Sequence, residues 1–236
     1  MKNVFIPLAV ALAAVPSYGQ NFEQCSSDGF KAGSFNVSRS TFSTNVMCIT
    51  YLGASDTMIS WMADFDASAP NPNLNPTSSR AAILFEPSKK VNSIPVRIIY
   101  NDIARFEAGL RIVMTVKTGL SSSKSASAEH LVILNSNGLT PTTASFGASI
   151  ANIEVNGVFF NVFKRVNEGV AQYIYVPTTI FKEEFAGDLQ KLIDGLSQKL
   201  PEEHLADQFL QSVGSGVDVY SGKGFFNTKS LTIEVS

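Results

Sequence analysis

The sequence predicts a single-domain β-sandwich, and three observations carry that prediction. The chain has 236 residues, 44% of them apolar and only 16% charged. That is enough to bury one sizeable core, and all-β sandwiches commonly reach this length as one domain. From Phe35 onward, short alternating or apolar runs are separated by Gly, Ser, Asp and Asn, the pattern of strands and their turns. A lone stretch near the C-terminal end has helical periodicity instead. No internal repeat of fixed period is visible.

Residues 1–19 have the make-up of a secretory signal. Lys2 supplies the charge, Val4 to Val15 the apolar stretch, and Ser17 and Gly19 the small residues before a cleavage at Gln20. The apolar run is too short to span a membrane, and no second long one follows. The mature chain, 20–236, is therefore expected to be soluble and extracellular. A net charge of −2 without a basic patch argues against a nucleic-acid partner. An oxidising compartment favours a disulfide between Cys25 and Cys48, the sole cysteines, and closing that loop contributes about 3 kcal/mol. His130 and His204 are far apart in sequence, so no metal site is expected. Asn36-Val37-Ser38 is an N-glycosylation acceptor triplet.

The runs GSFNVSRSTF, VMCITYLG and TMISWMADF give the first strands, and Trp61 among them reads as a core residue. Residues 68–80, rich in Pro, Asn and Ser, read as an exposed loop. The runs AAILFE, SIPVRIIY and Leu110 to Val116 continue the strands, and LSSSKSASA is a short loop. In the strand Glu129–Leu134, Glu129, Leu131 and Ile133 share one face and His130 takes the other. Asn156-Gly157 between alternating runs predicts a type I′ hairpin, and VAQYIYV pairs next. Leu189, Leu192, Ile193 and Leu196 form one apolar stripe, so this helix must pack on the back of a sheet. Ser230 to Val235 supplies a closing strand.

The stretch Asp207–Gly222, DQFLQSVGSGVDVYSG, sets a carboxylate, Asp218, between glycines and beside Tyr220. Glycines within a strand permit close approach of another backbone or a ligand. The order of a helix opening Gly-Asp-Leu and a strand ending Gly-x-acid-x-aromatic-Ser-Gly resembles the family-12 glycoside hydrolases. These are secreted endo-β-1,4-glucanases and xyloglucanases, with Glu as general acid/base where this chain has Asp218. The resemblance resumes over Phe35–Ser43, over Ser60-Trp61-Met62-Ala63-Asp64-Phe65-Asp66-Ala67, and over Glu129–Leu134, where Glu129 falls on the family's nucleophile. It implies a jelly-roll sandwich with a concave cleft, one helix on the convex back, and no cofactor. By the same alignment Thr115 stands where the family has an Asp that orients the nucleophile. Leu131 and Ile133 replace a Met and a Trp beside it, Phe42 and Ala67 replace sugar-facing tryptophans, and Phe65 and Tyr220 are further candidate sugar contacts.

A retaining glycosidase needs two carboxyls about 5–5.5 Å apart across the scissile bond. Glu129 and Asp218 are the expected pair. Shortening Glu to Asp draws the carboxyl back by about 1.5 Å, a displacement that can cost about 10²-fold in rate. Three readings follow from the residues. The first is a secreted monomeric hydrolase of β-1,4-glucan or xyloglucan working by double displacement, with reduced activity. The second is a catalytically inactive relative that binds a glycan or acts as a decoy for a protein partner. The third is an unrelated β-sandwich lectin.

Overall fold

A computed structural model describes residues 22–25, 29–41, 45–68, 76–86, 90–101, 108–120, 126–138 and 146–236. In chain order the strands are β1 (Phe22–Gln24), β2 (Phe30–Ala32), β3 (Phe35–Ser40), β4 (Val46–Ala54), β5 (Met58–Ala67), β6 (Thr77–Leu84), β7 (Pro95–Tyr100), β8 (Ala108–Gly119), β9 (Ala128–Asn137), β10 (Ser149–Val155), β11 (Val158–Asn167), β12 (Val170–Pro177), β13 (Glu184–Asp188) and β14 (Phe209–Ile233). Helix α1 (Leu189–Lys199) and two single 3-10 turns separate β13 from β14.

β14 is one strand of 25 residues, and it absorbs the Ser230–Val235 run that the sequence sets apart. Its first half lies between β6 and β8, and its second half between β5 and β7. It thereby belongs to two layers. The front layer runs β2-β3-β6-β14-β8-β9-β12-β11-β10. The back layer runs β1-β4-β5-β14-β7-β13. β12 runs parallel to β9, and the other described ladders are antiparallel. This is a jelly-roll sandwich. The 68–80 stretch proves shorter as a loop than expected, because Thr77–Arg80 already pair with β14 and Ser78–Arg80 also pair with β3.

The space between the layers is filled from alternate positions of both. Ile59, Trp61 and Phe65 of β5, Ile112 and Met114 of β8, Val213, Val217 and Val219 of β14, and Ile98 of β7 are all buried in one cluster. The two hairpins after β10 are set by residues that enter the left-handed region. Asn156 (φ 52°) and Gly157 (φ 80°) join β10 to β11, and Glu168 (φ 52°) and Gly169 (φ 83°) join β11 to β12. Two successive positive φ values are the type I′ signature that suits sheet twist.

α1 buries Leu189, Leu192, Ile193 and Leu196, the stripe read from the sequence. Asp188 fixes where it starts. One carboxylate oxygen accepts from Gln190 N (3.0 Å) and Ile94 N (2.7 Å), and the other from Ser93 Oγ (2.7 Å). A single side chain thus caps the helix and ties it to the residues entering β7. Asp188→Ala removes the cap and strands two donors, so the expected loss is about 2 kcal/mol. Urea unfolding with an unchanged m-value is the check. The Cys25–Cys48 disulfide is formed (S–S 2.04 Å).

Candidate active site

Strand alternation and register decide which side chains face the cleft, the side of the front layer turned away from the back layer. Cross-strand partners share a face. Ser78 of β6, Asp218 of β14, Arg111 of β8 and Ser136 of β9 form one row. Ser212, Lys117, Glu129, Gln172 and Arg165 form another.

Asp218 is 5% exposed and fully engaged on one oxygen. Oδ1 accepts from Arg80 Nη2 at 2.5 Å and Ser78 Oγ at 2.7 Å. Arg80 Nη1 also donates to Ser79 O (3.0 Å) and Val217 O (3.1 Å). Gly216 makes this possible. A Cβ there would stand 1.8 Å from Ser79 O and 2.9 Å from Arg80 Cδ, so the Gly-rich segment serves the close approach of a neighbouring backbone. Beside this pair Arg111 lies between two rings, 4.8 Å from the Phe146 centroid and 5.1 Å from that of Tyr220, and its Nη1 donates to Tyr220 Oη at 3.1 Å. Burial and then Asp218 push the Tyr220 phenol up, while Arg111 and Arg165 pull it down.

Glu129 sits in the other row. Gln172 Nε2 donates to its Oε2 at 2.5 Å, Lys117 Nζ stands 3.8 Å from Oε1, and Arg165 Nε donates to the Oε1 of the same Gln172. Lys117 and Arg111, the β8 partners of Glu129 and Ser136, are six residues apart on β8, about 20 Å of strand. Asp218 is opposite Arg111. Glu129 and Asp218 are therefore not brought together, and two short side chains cannot close that gap to the 5–5.5 Å of a double-displacement pair. On β9 the residue level with Asp218 is Ser136, which is not acidic.

The other expected contacts divide. Thr115 is opposite Leu131 and so diagonal to Glu129, whose direct cross-strand partner on β8 is Lys117. Leu131 and Ile133 do face the cleft side but are 7% and 2% exposed. They belong to an apolar cluster with Val113, Phe146, Phe163 and Ile174, so they fill the middle of the face and are not open sugar platforms. Phe65 is 3% exposed in the inter-layer core and is no sugar contact. Tyr220 faces the cleft, half-buried. Phe42 and residues 1–19 lie outside the described residues. Asn36 is half-buried on the cleft side, opposite Ala82. Trp61 is in the core and His130 is on the face opposite Glu129, as expected.

Arg80, Arg111, Phe146, Arg165 and Gln172 were not among the expected site residues. A signal was present for two of them: Arg111 interrupts the apolar alternation AGLRIVMTV, and Arg80 the run SSRAAIL. A lone cation in a half-buried strand calls for a partner on its own face.

No protein-family model and no curated protein matches this chain by sequence. Solved structures do match. The Trichoderma harzianum endoglucanase 3 from family GH12 aligns at TM-score 0.75 and 16% identity over 92% of this chain and 98% of that one. The catalytic domain of Humicola grisea Cel12A, solved with a soaked thio-cellotetraose, gives 0.77 and 13% over 91% and 99%. A Bacillus licheniformis family-12 xyloglucanase gives 0.72 and 12% over 91% and 100%. The chain has the fold of the family-12 glycoside hydrolases.

Two predictions rest on this geometry. Arg80→Ala leaves a buried carboxylate with Ser78 alone and is expected to cost about 2 kcal/mol, discounted for the partial exposure of Arg80. The Arg80→Ala/Asp218→Ala double variant should cost less than the sum of the singles in a denaturation cycle. His130 is buried with Nδ1 2.8 Å from Tyr175 Oη, and burial pulls its pKa down to about 3. The unfolded chain takes up that proton near pH 6.5. Stability from this group is therefore complete above pH 6.5 and is lost as pH falls from there toward 3. His130→Phe should flatten that part of the stability–pH curve.

Proposed function

We propose that this chain is a secreted, monomeric glycan-binding protein built on the family-12 hydrolase fold, without double-displacement activity through Glu129 and Asp218. The observation that carries the reading is the six-residue offset between the two carboxylates along β8. Catalysis by this route requires a nucleophile and an acid on opposite sides of one glycosidic bond. Here Asp218 is held by Arg80 and Ser78, and the β9 position level with it is Ser136. Glu129 is held by Gln172 beside Lys117. Each carboxylate has local partners, and neither faces the other.

Carbohydrate remains the ligand class with most support. The structurally similar proteins include endoglucanases, a xyloglucanase and a domain soaked with a thio-cellotetraose. The cleft side also keeps a row of polar groups, from Ser78 through Asp218 to Arg111 and Tyr220. Sugar recognition needs such fixed polar groups beside an aromatic face.

Reducing-sugar release from xyloglucan and mixed-linkage β-glucan should stay at background for the mature protein at high concentration. Glu129→Gln should be indistinguishable from it. Release that is clearly above background and vanishes in Glu129→Gln would sink this reading and restore the retaining hydrolase.

A further inference from the structure

A cavity of about 260 Å3 lies between α1, the turn Leu205–Asp207, the residues entering β7 and the adjoining ends of β8 and β14. It is separate from the cleft. Thr118 of β8 and its β14 partner Leu210 line it from the inner face of the front layer, whereas Lys117 and its partner Glu129 turn to the cleft side. The floor is apolar, with Ile193, Leu205 and Leu210 each buried in the core cluster. The walls carry polar groups held in set directions. Gln208 Oε1 accepts from Thr118 Oγ1 at 2.5 Å and from Ser127 Oγ at 3.5 Å. Its Nε2 therefore faces away from both and has no partner among the described residues. On α1, Gln190 Nε2 donates to Asp194 Oδ1 at 2.8 Å, which leaves Gln190 Oε1 and Asp194 Oδ2 as unused acceptors among the described residues.

A ligand that completes this cavity must accept from Gln208 and donate to Gln190 and Asp194, with an apolar side laid against Ile193 and Leu210. A hydroxyl both donates and accepts on one atom, and a pyranose joins several hydroxyls to an apolar C–H face. The two charged side chains in the lining, Lys90 and Asp194, are of opposite sign, which favours a neutral ligand over an anion or a cation. The volume is below the ~300–1,000 Å3 of drug-sized sites, so it suits one sugar ring and not a length of chain. We infer that this cavity is a second carbohydrate site, one that takes a single neutral sugar unit such as the end of a glycan chain. Neither Glu129 nor Asp218 takes part, so this site stands apart from the cleft-binding reading above.

Two-dimensional amide NMR on the mature chain tests this, with glucose and cellotetraose as probes and glycine as a zwitterion able to pair with both Lys90 and Asp194. The amides of Gln190, Asp194 and Gln208 should shift with both sugars, saturate at about millimolar concentration, and stay in place with glycine. Asp194→Ala and Gln190→Ala should each weaken that binding about threefold or more. Lys191→Gln, a charge change on the same helix outside the cavity, should leave it unchanged. Sugar-induced shifts confined to the cleft rows of Asp218 and Glu129 overturn the inference and leave the glycan reading standing; shifts at neither place overturn both. Cavity shifts that do not saturate, that glycine reproduces, or that Lys191→Gln weakens as much as the other variants also overturn the inference. Asp194 is exposed, so its variant keeps the fold, and circular dichroism on each variant verifies this.

Discussion

β14 is hydrogen-bonded between β6 and β8 in its first half and between β5 and β7 in its second. Both layers of the sandwich therefore share one backbone, and the register of each is referred to it. Because a strand's side chains alternate, one ladder shift changes which residues meet. Asp218 is fixed against Ser78 on one side and Arg111 on the other. Gly214 and Gly216 let β6 come close, since a Cβ on either would lie within 2.6 Å of the β6 strand. The tight β6–β14 seam sets the Arg80–Asp218 pair, and that pair removes Asp218 from the pool of free carboxylates.

The same reference strand decides the fate of Glu129. β8 carries the register from β14 to β9, and it is long: Ala108–Gly119 pairs with β14 along its whole length, meeting Asp218 at Arg111 near one end and, on its other side, Glu129 at Lys117 near the other. The shift in the β8–β9 ladder between Ile112 and Val113 leaves Leu134 as the extra residue. Beyond it Ser136 rejoins the row of Arg111. An acidic residue at the start of β9 cannot serve a site built at the other end of the same strand.

The fold was legible because it depends on signals local to a few residues. The Asn156-Gly157 turn, the Leu189–Leu196 stripe and the alternation of β5 and β9 each act over short spans, and each appears where the sequence places it. The face assignment of Glu129 against His130 also held. What failed was pairing across long separations. The match of Glu129 to a nucleophile is a match of one strand's text, whereas the carboxyl separation depends on two ladders and one bulge. Phe65 illustrates the same limit: an aromatic in a sugar-facing frame is one residue's alternation away from the core, and it lies in the core.

Electrostatics then separates what the face retains from what its relatives' names suggest. Guanidiniums are far costlier to leave unpaired in a half-buried groove than hydroxyls. Arg111 lies 4.8 and 5.1 Å from the Phe146 and Tyr220 ring centroids, and its Nη1 donates to the Tyr220 hydroxyl. The ring pair holds this charge at a fixed position beside the Tyr220 hydroxyl. That charge is fixed in the row of Asp218, six residues along β8 from Lys117, the partner of Glu129, so the two ends of the face keep separate sets of polar groups.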